Sequence, residues 1–407
     1  MNTSPFAKNI SIHYQYTLLL NLGLVRGVWM IYLASRGFTL LQLGILEATF
    51  HIVSFFMEVP TGSVADLWGR KTSRIAGRVV SILSLAIMFH SQSFALQLIG
   101  FAISALGYNL ESGAGDALVY DSLLAIGRED SYMKVLGRQE LIAQGSAVVA
   151  FLIGGYLALH SYAFAFGISM AICLAAALLS LGFTEPPMEC KKDNSLDMGL
   201  GKSILFSMKN QIADSAGVMV DKPRIGFLIL FSELLFAFMV CLFFYLQNFW
   251  TQQGFSERQI GIVFAVHAIV AGFTSFKAVN IERTIGQKGV LVGMPLLLLL
   301  CLWAVALSPW AMVSYIMTGC IEGILIVTVG DYLNRLIPST QRATILSFQS
   351  MAFSTFMIAL FPLVGWIGDR YSLHRSFLVM SVLGTLLCIP YLVFTLGLQK
   401  NGTQGKS

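Results

Sequence analysis

Apolar residues along this chain do not alternate with polar ones in short stripes. They run for about twenty positions, stop at a knot of charge or glycine, and start again. A run of that length matches a helix crossing a hydrocarbon core of about 30 Å. Lipid offers no partner for a bare backbone amide, so a helix, which bonds its own backbone, is the expected element. The pattern predicts an all-α integral membrane protein of about twelve transmembrane helices, near 12–35, 41–65, 74–91, 95–122, 139–160, 163–183, 225–250, 257–280, 289–308, 310–337, 342–367 and 376–397. The first run begins near Ile12 after a polar lead holding only Lys8 and reaches about Arg36. It is too long for a signal-peptide core, and no small-residue cleavage pattern follows it.

One polar interval is much longer than the others. Residues 184–224 divide the chain into an N-terminal half, 1–183, and a C-terminal half, 225–407, each expected to form a six-helix bundle. The interval reads as a cytoplasmic linker with a short amphipathic helix at Ile204 to Ile212 on the inner membrane surface. The halves echo each other. The fourth span carries GYNLESGAGDALVYDSLL and the tenth GCIEGILIVTVGDYLNRL, each with a glutamate near mid-depth (Glu111, Glu322) and an aspartate near the inner end (Asp121, Asp331). After each, a short basic loop ends in an arginine, Arg138 or Arg342. Such pseudo-symmetry suits a rocking transporter with a central site.

Composition agrees with the pattern. Of 407 residues, 56% are hydrophobic and 12% charged, against about 25% charged in a soluble domain. The net charge of +5 matters less than its placement. Arg70, Lys71 and Arg74, then Arg128, Lys134 and Arg138, then the cations of the long linker all fall on one side, as do Arg283, Lys288, Arg335 and Arg342; Arg36, Arg258, Arg370 and Arg375 fall on the other. The positive-inside rule then puts both termini in the cytoplasm and the protein, multi-pass, in the cell membrane. Five of the six cysteines lie in apolar runs and read as small packing residues, with no oxidising compartment implied.

Residues 58–71, EVPTGSVADLWGRK, close the second run. Within them, GSVADLWGRK fits Gly, three residues, Asp, two residues, Gly, Arg, Lys. This resembles the signature loop between the second and third helices of the major facilitator superfamily, and the span count, linker and inner termini extend the likeness over the whole chain. The loop then implies a conformational latch formed by Gly62, Asp66, Gly69, Arg70, Lys71, Asp121 and Asp331. Gly62 would allow close helix approach and Gly69 a tight turn. Asp66 would meet the start of span eleven near Arg342 to Ile345, and Arg70 would pair with Asp121. In the bland alternative the cations only set topology. The corresponding loop of the second half, VNIERTIGQK, keeps Gly286 and Lys288 but has Arg283 where Asp66 stands, so the latch is expected to be asymmetric. Glu58 and Pro60 resemble the Glu-x-Pro variant of one tetracycline-efflux branch, which implies proton-coupled antiport and drug export. Drug antiporters of the superfamily also carry a Gly-Pro, Gly-Gly arrangement in the fifth helix. Here Gly154 and Gly155 remain, but Ala150 and Phe151 replace the first pair, which counts against antiport.

A charge at bilayer depth costs at least about 2.5 to 3.5 kcal/mol, so each needs a partner or a wet cavity. Glu47, His51 and Glu58 lie within about 40° of one line on the second helix, together with Ser54. Glu58, Glu111 and Glu322, with His51, are the candidates for proton coupling, because desolvation favours the neutral carboxyl and water the ionised one. Arg26, Glu47, Asp116, Glu233 and Gln349 are candidates for a substrate cavity. The static alternative pairs Arg26 with Glu111, or Glu47 with a neighbour, to fix packing. Arg78 and Lys277 are expected to snorkel to the interface. Pro362 and Gly365 in FPLVGW read as a bend or a packing notch.

An enzyme is not expected. GAGD at 113–116 and VYD at 119–121 are similar to intramembrane aspartyl protease motifs, but Asp116 and Asp121 stand about 140° apart on one helix and cannot share a proton. No phosphate-binding glycine loop with its lysine and no dense Cys/His cluster is present, so neither a cofactor nor a metal is expected. The partners expected are a small-molecule substrate, protons and the lipid bilayer, with no nucleic acid and a monomeric protein. The function these features imply is secondary active transport by alternating access, as proton-coupled drug or metabolite efflux, with uptake or exchange of a polar metabolite as the alternative.

Overall fold

The computed structural model describes residues 4–186, 217, 223–336 and 342–403. The helix expected at Ile204 to Ile212 lies outside them. The described residues form helices α1 (Pro5–Asn21), α2 (Trp29–Ser35), α3 (Leu40–Trp68), α4 (Arg70–His90), α5 (Phe94–Leu124), α6 (Tyr132–His160) and α7 (Tyr162–Ser180). They continue as α8 (Pro223–Gln252), α9 (Glu257–Lys288), α10 (Met294–Leu307), α11 (Ala311–Leu336), α12 (Arg342–Arg370) and α13 (Leu373–Thr403).

Among the described residues, ten helical stretches are long and apolar enough to cross a membrane. Twelve runs become ten for two local reasons. The run expected at 12–35 is not one helix. α1 stops at Asn21 and the chain resumes as α2 at Trp29, with turn bonds between, from Arg26 N to Gly23 O and from Val28 N to Val25 O, both 3.0 Å. These bonds keep the backbone satisfied where the α pattern lapses. The lapse packs: the Leu24 carbonyl lies directly against Gly154 of α6, where any side chain would collide. In the other case the 51 residues 257–307 form one continuous stretch, yet the chain turns inside it at Gly286, whose φ of 73° is open to glycine and strained for other residues.

By compactness the chain separates into two units. The first comprises Met1–Tyr32, Leu46–Ala216 and Ser256–Ile262; the second comprises Leu33–Ile45, Gly217–Phe255 and Val263–Ser407. In the first, α4 and α5 touch backbone to backbone: a Cβ on Gly77 would stand 2.9 Å from the Gly107 carbonyl oxygen, and one on Gly107 would stand 2.9 Å from Ser81 Oγ. In the second, α11 lies as closely on α9, since a Cβ on Gly319 would stand 2.7 Å from the His267 carbonyl oxygen, and Gly323 lies against the Ala271 carbonyl. Two helix pairs sealed by small residues therefore carry Glu111 and Glu322.

Candidate functional site

Close contact of α4 and α5 sets the polar centre of the first unit. Arg74 stands one turn before Gly77, and Glu111 one turn after Gly107, so the sealed seam brings the two side chains together. Arg74 Nη2 lies 3.0 Å from Glu111 Oε1, and the pair is almost wholly buried, at 1% and 7% side-chain exposure. The second oxygen of Glu111 accepts a 2.5 Å bond from the Tyr16 hydroxyl on α1. Tyr16 also offers its ring to the guanidinium, 3.9 Å from the centroid, and Phe183 closes the other side at 4.8 Å. His13 Nδ1 approaches Arg74 Nη1 at 3.4 Å while its Nε2 is 2.7 Å from Gln139 Oε1. Both carboxylate oxygens of Glu111 are thus held.

Three expectations are corrected by this centre. Glu111 is paired with Arg74, not Arg26; Arg26 is exposed, in the irregular segment between α1 and α2. Arg74 does not sit in the inner loop, because the α4–α5 seam draws it inside. Arg78, expected to snorkel, is 8% exposed.

Along α3 the expected shared face is built as a packed one. Glu47, His51 and Ser54 are all buried, and Ser54 Oγ donates to Asn109 Oδ1 at 2.8 Å while Asn109 Nδ2 donates back to the Ser54 carbonyl at 2.7 Å. Arg26 acts electrostatically on Glu47. Glu58, further along the same face, is half-buried, and Asp116 on α5 is exposed.

The second unit treats its acids differently. Glu322 on α11 faces His267 Nε2 of α9 at 3.6 Å and keeps 32% of its side chain exposed. The same Nε2 lies 3.2 Å from Thr318 Oγ1, whose own proton goes to the Tyr315 carbonyl at 2.6 Å. The imidazole stacks on the Tyr315 ring with centroids 4.5 Å apart. Glu233 on α8 is 6% exposed and accepts a 2.6 Å bond from Gln349 Nε2 of α12. Among the described residues no cation lies within ion-pair distance of Glu233.

Helix starts carry acids that sequence reading missed. Glu185 spans the first two amides of α4, accepting from Arg70 N at 2.5 Å and Lys71 N at 3.0 Å. Asp369 does the same for α3, accepting from Leu40 N at 2.9 Å and Leu41 N at 2.7 Å. Each carboxylate satisfies orphan amides and faces the positive end of a helix dipole. Arg70 forms an ion pair with Asp121 and donates to the Ala117 carbonyl. Gly69 makes its turn at φ 92°. At Gly62, among the described residues, no atom beyond its chain neighbours and its own helix backbone lies within 4 Å of where a Cβ would stand. Close approach is found at Gly365, a notch against the Leu40 carbonyl and the Tyr245 hydroxyl. Asp66 is exposed and Asp331 half-buried. The side chains of Arg342, Ala343 and Thr344, where Asp66 was expected to dock, lie outside the described ones.

The profile of the Major Facilitator Superfamily matches residues 17–354 and again 226–405. The chain belongs to that superfamily. It is a multi-pass membrane protein of a transporter family, not an enzyme. Over 396 residues it is 25% identical to the uncharacterized MFS-type transporter YxaM of Bacillus subtilis (strain 168), covering 95% of both chains. Among solved structures, a point mutant of the nucleoside transporter NupG superposes with a TM-score of 0.74 at 14% identity, over 95% of this chain and 99% of that one. A bacterial homolog of the human lysosomal transporter Spinster, inward-facing and unoccupied, gives 0.73 at 16% identity over 97% of both. The D-xylose–proton symporter gives 0.67 at 13%, over 95% of both. At these identities the structures speak for the fold alone.

Proposed function

We propose that the protein is a proton-coupled secondary transporter of the cell membrane, with cytoplasmic termini and its halves at 1–183 and 225–407, that exports a small molecule by alternating access. The observation that carries this reading is the Glu322–His267 pair. A proton carrier must change charge as its surroundings turn from dry to wet. Glu322 keeps a third of its side chain exposed beside a histidine, whereas Glu111 is clamped by a permanent cation and a phenol. Glu322 therefore takes up and releases the proton, His267 and Thr318 position it, and Glu111 holds the first unit together. Glu58 and His51 stand behind Glu322 as carriers.

Export as the direction rests on the Glu58-x-Pro60 likeness to tetracycline-type efflux proteins. Arg70, Lys71, Asp66, Gly69, Asp121 and Asp331 act as the cytoplasmic latch, made when that side closes and broken when it opens. A second reading, uptake or exchange of a polar metabolite, is favoured by the buried Glu233–Gln349 pair, which presents a carboxylate and an amide suited to a hydroxyl-bearing solute. The fold is shared with a nucleoside transporter and a sugar–proton symporter, so such a cargo is within its range.

Inverted vesicles with an imposed proton gradient, screened over dyes, antibiotics, nucleosides and sugars, test the proposal. Export predicts proton release from the lumen on adding a substrate. An unchanged gradient across the panel, from a preparation that binds one of its members, contradicts coupling. Proton movement with opposite sign supports the uptake reading.

A further inference from the structure

A cavity of about 390 Å³ opens at the end of the first unit where α1 begins, α5 ends and α6 begins. Its floor is apolar. Val119, Leu123 and Val135 form a small buried cluster on which Ile10, Tyr14 and Ile126 pack. Its rim is cationic: Arg128, Lys134 and Arg138 line it, all three exposed, and no acid does. Among the described residues none of the three is within ion-pair distance of a carboxylate. Of the acids nearby in the chain, Glu129 and Asp130 follow Arg128 and are exposed, but neither lines the cavity nor lies within ion-pair distance of the three cations. Glu140 binds Gln144 at 2.8 Å, and Asp121 is taken by Arg70. Ser11, Tyr14 and Ser131 add hydroxyl donors to the lining.

Three cations outside any ion pair, converging over an apolar floor, match a ligand that is anionic at one end and hydrocarbon at the other. Next to the pocket in the chain, Leu124 and Met133 are exposed at 51% and 69%. Basic pockets between transmembrane helices on the cytoplasmic side have the polarity of phospholipid headgroup sites.

We propose that this pocket binds an anionic phospholipid of the inner leaflet, its phosphate among Arg128, Lys134 and Arg138 and its glycerol and upper acyl chain on the Leu123–Val135 floor. The inner-leaflet assignment rests on the orientation proposed above; the binding chemistry does not. A bound lipid would tie the start of α1 to the α5–α6 connection, bracing the inner end of the first unit.

Native mass spectrometry of the delipidated full chain tests this, titrating phosphatidylglycerol, phosphatidylcholine and inorganic phosphate separately. Phosphatidylglycerol is expected to bind well above phosphatidylcholine, and phosphate alone weakly. Each cation contributes about five-fold, so the triple variant Arg128→Gln, Lys134→Gln, Arg138→Gln should bind phosphatidylglycerol roughly a hundred-fold more weakly. Arg283→Gln, a cation elsewhere, should bind it unchanged. The three side chains are exposed, so the triple variant should unfold at the wild-type temperature without lipid; were it not to fold, the single variants, each about five-fold weaker, carry the test. Equal binding of the two lipids, an unaltered triple variant, or phosphate binding as tightly as lipid overturns the proposal, the last assigning the pocket to soluble phosphate. Detergent removes sidedness, so a wrong orientation leaves these results intact and appears only in labelling of a cysteine placed at Asp130 in intact cells.

Discussion

Glu111 and Glu322 occupy matching places in the two halves, each on a helix sealed by glycines to its neighbour, yet they are treated in opposite ways. Glu111 meets a tyrosine hydroxyl and a buried arginine that is itself held between two aromatic rings, leaving neither oxygen to water. Glu322 meets a histidine at 3.6 Å and keeps a third of its side chain exposed. The same residue type is clamped by a permanent cation in one unit and left partly open beside a histidine in the other; on the function proposed above, the first braces the fold and the second carries the proton. Pseudo-symmetry of sequence therefore does not carry symmetry of environment, since partner and exposure both differ.

The comparison is broken most severely by removing the cation. Arg74→Ala leaves Glu111 buried without its charge partner, and the loss should be about 3–5 kcal/mol, read as a large drop in the thermal unfolding temperature of the purified protein. Arg74→Met with Glu111→Leu should recover most of it, and a single variant as stable as wild type would show the pair to be dispensable. Next is the seam beneath the other glutamate. Gly319→Ala puts a methyl 2.7 Å from the His267 carbonyl oxygen, which should cost about 1–3 kcal/mol through overpacking and slow coupled transport by displacing His267. Unimpaired transport would detach the histidine from coupling.

A smaller effect is expected at the cap of the helix that bears Arg74. Glu185→Gln removes the charge that faces the start of α4, at a cost of about 1 kcal/mol. Thermal unfolding at low and high salt checks this, since screening should narrow the gap between variant and wild type. Gly62→Ala should change stability by less than about 0.5 kcal/mol, because no described atom outside its own helix lies within 4 Å of where the methyl would stand; a larger loss would support a packing role for Gly62.

Much of the fold was legible because a membrane helix is written in runs of apolar residues, and those runs set most of the helices to within a few residues. The interruption at residues 22–28 was not, since it depends on the Leu24 carbonyl meeting a bare glycine far along the chain. The site was legible in its acids and poorly so in their partners. Arg74, three residues after Lys71, looks like one more topology cation; its burial follows from the meeting of Gly77 with Gly107, a tertiary event. A signal existed in the spacing, a glycine one turn after the arginine and another one turn before the glutamate. Glu185 and Asp369 were hidden because a capping acid far from its helix in sequence has no local pattern.

The central claim is that the proton travels on Glu322 while Glu111 only braces the fold, and substrate-driven proton movement in inverted vesicles tests it most directly when folded Glu322→Gln and Glu111→Gln proteins are compared with wild type. The account predicts that Glu322→Gln still binds substrate but moves no protons, and that Glu111→Gln, though less stable, still moves them. Coupling kept by Glu322→Gln and lost by Glu111→Gln would contradict it.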